Sequence, residues 1–296
     1  SNTVTLISRK AGDKKSNGTK WISKGKGEYS IEKIDVENYG TSIILDIKKS
    51  ESEFLDDYRI KGIVSKYSDH ITVPILMNKA SDEDGVIEYE TINKATAFWT
   101  QDKKELSQDD YDEFYKSLTY DFEGPLTQIH NKLEGKLDYI SLLFIPKKAP
   151  FDMWEPKRKG GVKLYAKRVF IMEGNEELLP QYLRFIKGVI DTDDLSLNVS
   201  REILQGSKVV DTIRKASVKR ILSELDKMSK NKPEDYAIFW KEFGMVMKEG
   251  VVEDFANKDK ISNLLRFATT NNDSEEQTVS LKDYVERMNN NQKTIY

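Results

Sequence analysis

The stretch Asp191-Thr-Asp-Asp-Leu-Ser-Leu-Asn-Val-Ser-Arg-Glu-Ile-Leu-Gln205 joins a predicted strand to a predicted helix, and the rest of the chain is organised around it. Its first part carries three carboxylates, at Asp191, Asp193 and Asp194. Asn198 and Ser200 follow, and both are good helix N-caps because their side-chain oxygens accept the free amide protons of a first turn. The pattern therefore predicts a helix that begins at about Arg201.

Arg201 is an unusual residue for the first turn of a helix. The positive end of the helix dipole disfavours a cation there, whereas Glu202 is of the type that this position favours. An arginine in this place, beside an acidic loop, has two interpretations. Either the acids neutralise it in a structural ion pair, or its guanidinium is kept free for another role.

Length and composition are those of a globular protein of ordinary polarity. The chain has 296 residues, of which 38% are hydrophobic and 33% charged, and this is enough for two domains or one large one. The formal charge of −3 gives no electrostatic reason to expect a nucleic-acid partner. No apolar run reaches the length of a membrane span, and the N-terminus shows no signal peptide. We therefore expect a cytoplasmic protein with neither nucleic acid nor membrane as a partner, and the missing initiator methionine suggests a fragment.

Residue types that often carry catalysis are sparse. There is no cysteine, which excludes thiol nucleophiles and thiolate metal sites. The two histidines, His70 and His130, lie far apart in sequence and lack metal-ligand spacing, so we predict no metal site. A self-contained hydrolase is also disfavoured, since the sequence has no Gly-x-Ser-x-Gly, His-Glu-x-x-His or phosphate-loop motif.

The pattern of strands and helices predicts an α/β (α+β) protein in several parts. Within a first part that spans residues 1–77, residues 3–49 alternate in the manner of strands and carry glycine turn signals, so an antiparallel β meander is expected there, followed by a helical segment. Residues 78–92 are polar and acidic and suggest a linker. Residues 93–205 mix strands with helices, which favours a layered αβα sandwich. Residues 206–296 show helical periodicity and end in a small αβ unit.

Several segments give specific local predictions. Ser107 opens a capping-box pattern ahead of a helix. Leu137–Ile145 is almost entirely apolar, which is typical of a strand buried on both faces. Residues 207–230 are amphipathic at helical spacing, and the next helix, which begins with proline, is expected to end at Gly250. The proline within Ile71–Met77 indicates an edge strand.

The loop Ala149–Gly161 combines an apolar tip with a basic run, a composition that is uncommon in loops. Phe151, Met153 and Trp154 either fold back into the core or form a surface for client proteins or domain docking, because exposed aromatic patches mark interaction sites. Trp99 has the same two interpretations: it is either a core anchor or a contact with a substrate protein.

Leu197–Gln205 closely resembles the catalytic loop of the ninety-kilodalton heat-shock chaperone family, in its bacterial form. In that family an arginine of the middle domain reaches the nucleotide site of the N-terminal domain and contacts the terminal phosphate of ATP. The resemblance identifies Arg201 with this catalytic arginine, and Asn198 and Gln205 with polar residues of the same loop. One departure is Ser196, where the family usually has proline, so this loop should be less stiff.

The beginning of the chain resembles the last part of the family's N-terminal ATPase domain. Gly40-Thr41 matches a pair whose threonine lies near the adenine, so the resemblance implies that Thr41 is a remnant of a nucleotide site. The family's nucleotide-binding helix, its Asp-x-Gly-x-Gly motif and its glycine-rich lid are not found in the sequence. We therefore expect no ATP binding by this chain alone. We also expect the sheet to lack its usual cover on one face, and to be covered by a neighbouring chain or loosely ordered.

The resemblance implies an ATP-dependent molecular chaperone and assigns residues 93–296 to its middle domain. The full-length protein would use ATP with magnesium, bind unfolded client proteins and form a homodimer through a C-terminal domain. Its own N-terminal ATPase domain would be a further partner, and the counterpart of Phe151 lies where that domain docks. An alternative is that the isolated chain is a non-enzymatic protein-binding module. We also hypothesise that Asp193 and Asp194 restrain Arg201 in the resting state.

Overall fold

The computed structural model shows two compact units, residues 1–65 and residues 66–296. The structure describes residues 1–79, 88–151, 153–155, 161–174, 176–197, 206–272 and 274–296. The division between the units falls before the domain boundary at residue 77 that the sequence predicts, so residues 66–77 cluster with the second unit.

The first unit is a four-stranded antiparallel sheet in the order β3-β2-β1-β4. Its strands are β1 (Thr3–Arg9), β2 (Gly18–Ser23), β3 (Tyr29–Ile34) and β4 (Gly40–Asp46). The antiparallel pairing is as predicted, but β4 pairs with β1 and not with β3, so the order is not that of a simple meander. The amide of Val36 donates to the carbonyl of Lys15 at 3.0 Å, and this bond directs the chain across the end of β2 before β4 begins.

The sheet of the first unit buries little side-chain surface. Among residues 1–65, all of which the structure describes, only Gly18 is buried. Every residue of β4 is exposed, including Ile43 and Ile44, which point to opposite faces and are 62% and 56% exposed. Residues 1–65 therefore cover neither face of this edge strand.

The second unit is built on a five-stranded sheet in the order β10-β9-β11-β8-β7. Its strands are β7 (Thr127–Leu133), β8 (Tyr139–Ile145), β9 (Val162–Ala166), β10 (Val169–Glu173) and β11 (Lys187–Thr192). β9 and β11 run parallel, and the other neighbours are antiparallel. Two small sheets pair β5 (Leu76–Lys79) with β6 (Glu88–Thr91), and β12 (Arg266–Phe267) with β13 (Val279–Ser280).

Helices of very different lengths accompany these sheets. The α-helices of the described residues are α1 (Asp57–Tyr67), α2 (Gln108–Thr119), α3 (Lys208–Asn231), α4 (Pro233–Glu253), α5 (Lys258–Leu264) and α6 (Leu281–Glu286). Short 3₁₀ helices lie at Lys15–Asn17, Lys49–Leu55, Phe98–Thr100, Gln181–Leu183, Phe255–Asn257 and Thr270–Asn272.

The alternation of side chains along β8 divides the second unit into three layers. Leu143 and Ile145 belong to one core cluster, which α3, α4 and α5 close. Leu142 and Phe144 belong to the other, which α2 and Trp99 close. The predicted α/β class is therefore confirmed, and β8 is buried on both faces as its apolar sequence indicated.

The strongest local predictions are confirmed. The Ser107 side chain accepts from the amide of Asp110 at 3.3 Å, and the Asp110 carboxylate accepts from the amide of Ser107 at 2.8 Å, which completes the capping box of α2. α3 matches the amphipathic segment 207–230, and Pro233 lies in the first turn of α4. These predictions depend on residues close together in sequence, which is why they hold.

The predicted end of α4 at Gly250 is wrong, since the helix continues to Glu253. Gly250 serves close packing instead of termination. A Cβ at this position would lie 2.7 Å from the ring of Tyr182, so only glycine lets the helix approach that ring without a shift.

The predicted edge strand over residues 71–77 is also wrong, because the strand begins only at Leu76. The side chain of Asn93 occupies the main-chain groups before it. Its Oδ1 accepts from the amide of Ile75 at 2.8 Å, and its Nδ2 donates to the carbonyl of Val73 at 3.1 Å. A side chain nearly twenty residues away thus replaces the strand partner.

Candidate functional site

Asp191 lies near the end of β11 and is 7% exposed. Its carboxylate accepts one hydrogen bond from the indole Nε1–H of Trp99 at 2.9 Å and another from the main-chain amide of Arg168 at 3.1 Å. Burial raises the pKa of the Asp191 carboxyl above its ordinary value, and these two hydrogen bonds oppose the rise. The first acid of the quoted stretch is therefore a junction of three chain segments.

Trp99 is 1% exposed and lies in the core between the sheet and α2. Its ring packs edge-on against His70, with 4.7 Å between ring centroids, and at a tilt of 41° against Tyr165, with 4.8 Å between centroids. With its N–H bonded to a buried carboxylate, the indole has no surface left for a substrate protein. The structure thus places Trp99 as a core anchor, the first of its two interpretations.

The two histidines belong to the same core. His130 Nε2 lies 2.8 Å from the carbonyl oxygen of Trp99, and its Nδ1 lies 2.9 Å from the hydroxyl of Tyr111. Because a carbonyl only accepts, Nε2 is assigned the proton and Nδ1 accepts from the tyrosine. Burial lowers the pKa of both His130 and His70, which favours their neutral forms. Sequence spacing gave no sign of this network because its members lie on separate segments.

The turn between β9 and β10 is formed by Lys167 and Arg168, which both have positive φ, at 50° and 67°. Asparagine and glycine usually occupy such two-residue turns, because other residues are strained there. The amide of Lys167 donates to the carbonyl of Thr192 at 3.1 Å, next to the bond from Arg168 to Asp191. The buried carboxylate therefore supports a backbone conformation that these residues disfavour.

The end of β11 and the residues that follow it are hydrogen-bonded to the turn before β8. The Asp194 carboxylate accepts from the amide of Asp138 at 2.7 Å, and the Thr192 hydroxyl donates to the carbonyl of the same residue at 2.9 Å. Asp193 is exposed. Asp194 thus has a main-chain partner of its own, while Asp193 projects its carboxylate into solvent.

Asn198, Arg201 and Gln205, the predicted catalytic residues, lie outside the described residues. The predicted helix start at Arg201 lies outside them as well. The chain is described up to Leu197 and again from Gly206. The junction at Asp191 fixes the segment that leads into this stretch, and α3 follows it.

The loop that begins at Ala149 divides its apolar residues between core and surface. Met153 is 2% exposed, whereas Phe151 is 96% exposed and Trp154 is 54% exposed. The structure therefore places Met153 in the core and leaves the two aromatic rings available as a contact surface.

A cleft of about 630 Å³ lies beside Phe151, between the C-terminal end of α2 and the central sheet. Lys148 and Lys163 contribute to its lining. Tyr120, also in the lining, has a left-handed conformation with φ of 59° and is 87% exposed, and nearby in sequence Phe122 is 97% exposed. Sequence reasoning missed these two aromatics, because nothing in their spacing distinguishes an exposed ring from a buried one.

Thr41 lies on β4 and is exposed, with its Oγ1 2.8 Å from the Oγ of Ser8. A nucleotide site needs a cradle for phosphates and an enclosed pocket for the base. β4 is exposed along its whole length, so the side chains of residues 1–65 do not enclose this position. The residues of this unit therefore do not enclose a nucleotide by themselves, and the place of Thr41 in a nucleotide site stays a prediction.

Within the described residues, no group of three His, Cys, Asp or Glu side chains is arranged to hold a metal ion. In the same part of the chain, every helix is too short or too polar to cross a membrane.

Comparison with known proteins identifies the family. The profile of the family described as Hsp90 protein matches residues 77–296, which is most of the chain. The chain belongs to the Hsp90 family. The resemblance found in Leu197–Gln205 is thereby confirmed at the level of the family.

Hsp90-family relatives match the chain along nearly all of its length. It is 72% identical over 293 residues to chaperone protein HtpG of Ruthia magnifica subsp. Calyptogena magnifica, covering 99% of this chain and 48% of the relative. It is 69% identical over 296 residues to the protein of that name from Vesicomyosocius okutanii subsp. Calyptogena okutanii, covering 100% and 48%. The protein of Escherichia coli K12 is 52% identical over 295 residues, covering 99% and 47%. The chain spans about half the length of the curated relatives it matches.

Proposed function

We propose that this chain is the middle-domain part of an ATP-dependent molecular chaperone that binds unfolded or partly folded client proteins. The observation that carries the proposal is the match over nearly the whole chain to relatives called chaperone protein HtpG. The full-length protein would use ATP with magnesium, bound by an N-terminal ATPase domain, and would form a homodimer through a C-terminal domain. This chain would contribute Arg201 to ATP hydrolysis.

The chemistry of Arg201 suits this role. Negative charge develops on the oxygens of a phosphate during phosphoryl transfer, and a fixed guanidinium stabilises it. Arginine stays charged at every physiological pH and presents its donors in a planar fork that matches phosphate oxygens. Asn198 and Gln205 would supply polar contacts from the same loop.

Substitution of Arg201 in a full-length protein tests the catalytic part of the proposal. Arg201→Ala should lower kcat for ATP hydrolysis by up to about 10³-fold, as for other arginines that act on a transferred phosphate. Nucleotide affinity should stay the same, because the nucleotide is held by the other domain. Arg201→Lys keeps the charge and loses the planar fork of donors, so its kcat should lie between that of the unchanged protein and that of Arg201→Ala. An equal loss of kcat and affinity would contradict the role.

We further propose that the acids after β11 restrain Arg201 in the resting state. Asp194 already accepts from the amide of Asp138, so a change there also disturbs the turn before β8. Asp193 is exposed and is the cleaner test. Asp193→Asn in a full-length protein should raise basal ATP turnover, and unchanged turnover in both Asp193→Asn and Asp194→Asn would exclude the restraint.

A second function, protein binding without catalysis, is favoured by the exposed rings of Phe151 and Trp154. The chain alone should slow the aggregation of an unfolding protein, followed by light scattering. Trp154→Ala and Phe151→Ala should each reduce this protection, because apolar anchors supply most of the energy of such contacts. Trp99→Phe changes a buried ring and should leave the protection unchanged while the chain stays folded. The N-terminal ATPase domain is the second partner that we propose for Phe151.

A further inference from the structure

One face of α4 carries three glutamates, Glu242, Glu249 and Glu253, which we call the acid ladder. They are seven and four residues apart, so they fall on one stripe of a helix with 3.6 residues per turn. Each carboxylate accepts hydrogen bonds from outside the helix. Glu242 accepts from the loop that bears Phe151, and Glu249 and Glu253 accept from the segment that bears Arg184.

Glu242 holds the beginning of that loop. Its Oε2 accepts from the main-chain amide of Ala149 at 2.9 Å, in a partly buried position. The amide of Met153 donates to the carbonyl of Pro150 at 3.0 Å and closes a turn. Phe151 therefore lies in a turn whose entrance is bonded to α4.

Arg184 joins Glu249 to Met153 and Trp154 of the same loop. Its Nη1 and Nη2 donate to the two carboxylate oxygens of Glu249 at 2.6 and 3.0 Å. Its Nε donates to the carbonyl of Met153 at 3.2 Å, and its Cζ lies 5.1 Å from the centre of the Trp154 ring. One planar group thus contacts the helix, the main chain of the loop and an exposed aromatic ring.

Glu253 fixes the segment from which Arg184 projects. Its two oxygens accept from the amides of Gln181 and Tyr182 at 2.7 and 2.9 Å. These amides begin a short 3₁₀ helix and have no partner within it, so the carboxylate acts as its cap. The acid ladder therefore links α4 to two points of the apolar loop. Glu242 bonds Ala149 directly. Arg184, which Glu249 binds and whose segment Glu253 caps, holds Met153 and contacts Trp154.

We propose that Arg184 and the acid ladder are positioning residues that hold Phe151 and Trp154 ready to bind an unfolded client protein. The inference rests on the proposed docking role of these two rings. A loop that becomes ordered only on binding loses conformational entropy at that moment, which weakens the complex. Hydrogen bonds in which one partner is charged hold Ala149 and Met153 in place before binding. Arg184 and Glu242 act through the loop and need no contact with the partner.

The test measures binding of this chain to a labelled, permanently unfolded protein, reduced and carboxymethylated α-lactalbumin, by fluorescence anisotropy. Arg184→Lys keeps the charge but loses the Nε donor and the fork, and Glu242→Gln keeps the shape but loses the charge. Each should weaken binding about fivefold, a coupling of ordinary size for residues in one network. The matched control is Glu234→Gln in the first turn of the same helix, which is exposed and should leave the affinity unchanged.

The same substitutions in a background that carries both Phe151→Ala and Trp154→Ala separate positioning from general stabilisation. If Arg184 and Glu242 act through these two rings, Arg184→Lys and Glu242→Gln should weaken binding much less once both rings are gone. A fivefold loss in both backgrounds, or no loss from either Arg184→Lys or Glu242→Gln, overturns the inference while the docking role stands. If Phe151→Ala and Trp154→Ala leave binding unchanged, the docking role fails and the inference fails with it.

Amide exchange keeps the test decisive if a variant loses stability. Exchange at Ala149 should accelerate in Glu242→Gln, because its amide loses a charged acceptor, while exchange in the central strand β8 stays slow. Equal acceleration at Ala149 and in β8 would mean general destabilisation. In that case Glu249→Gln takes the place of Glu242→Gln in the binding test. It leaves the bond from Glu242 to Ala149 intact and should weaken binding about fivefold.

Discussion

A single buried carboxylate sets the local structure at the entrance to the stretch that contains Arg201. Asp191→Ala removes the acceptor of both the Trp99 indole and the Arg168 amide. Because each buried donor left without a partner costs about 1–3 kcal/mol, and relief of the buried charge offsets part of this, we expect a loss of about 2 kcal/mol in the free energy of unfolding. Urea denaturation would measure it. Asp193→Ala, at an exposed carboxylate, is the control, and equal effects of the two changes would refute the role of the junction.

Protonation of His130 should make stability depend on pH. Burial lowers its pKa from the ordinary value of 6.5, with Lys103 acting in the same direction and the bond to the Trp99 carbonyl opposing. Folding thus favours the neutral ring, so its stabilising contribution is fully present above 6.5 and is lost as pH falls through the lower folded value. Protonation of His70, whose pKa is also lowered, should change stability with pH in the same direction. Asp191 has the opposite sign, since its raised pKa gives a contribution that is lost as pH rises.

His130→Gln isolates this contribution, because its amide can donate to the Trp99 carbonyl without titrating. The free energy of unfolding of the unchanged chain should fall as pH is lowered below 6.5. In His130→Gln the fall should be smaller, with His70 accounting for part of the remainder. Urea denaturation at a series of pH values gives both curves, and parallel curves would rule out His130 as a source of the dependence.

Residue-level prediction from sequence succeeded where the partners are local. Ser107 caps α2 with an acid three residues later, and the predicted capping box is present in the structure. It did not distinguish Asp191 from Asp193 or Asp194, because the three acids look alike in sequence. Only the fold decides which of them is buried, since the partner that buries Asp191 lies 92 residues away at Trp99.

At the scale of the element, replacing glycine by alanine should destabilise the chain at one helical position and stabilise it at another. A Cβ at Gly250 in α4 would lie 2.7 Å from the Tyr182 ring, so Gly250→Ala should destabilise by about 1–3 kcal/mol despite better helix propensity. A Cβ at Gly62 in α1 meets nothing within 4 Å, so Gly62→Ala should stabilise that helix by about 0.5–1 kcal/mol. Denaturation monitored by circular dichroism checks both. Stabilisation by Gly250→Ala would show that the packing tolerates a methyl group.

Elements with strong periodicity were predictable, and elements shaped by distant partners were not. The amphipathic pattern of α3 and the apolar run of β8 determine those elements almost alone. The strand expected over residues 71–77 failed because Asn93 bonds its main chain, and sequence pattern carries no record of that partner. For the candidate site, the exposed ring of Phe151 was one of two open interpretations, and only the structure separated it from the buried Met153.

At the scale of the whole molecule, burial is distributed very unevenly between the two units. The second unit has two core clusters on opposite faces of its sheet. In residues 1–65 no apolar side chain is buried, and only Gly18 falls in that class. Burial of apolar surface contributes about 25 cal/mol per Å², and it must offset an ordering cost of about 1–2 kcal/mol per residue. The first unit therefore gains little stability from the burial of apolar surface, which is the main stabilising contribution in folded proteins.

We expect this imbalance to appear as two steps of unfolding. The first unit should unfold at lower urea concentration than the second, and tryptophans report the steps separately. Trp21 is the one tryptophan of residues 1–65, while Trp99, Trp154 and Trp240 belong to the second unit. Trp21→Phe should remove the early fluorescence change, whereas the matched Trp154→Phe should keep it, with far-UV circular dichroism showing both steps in each variant. A single transition, coincident by both methods and unaltered by Trp21→Phe, would mean that residues 1–65 draw their stability from the rest of the chain.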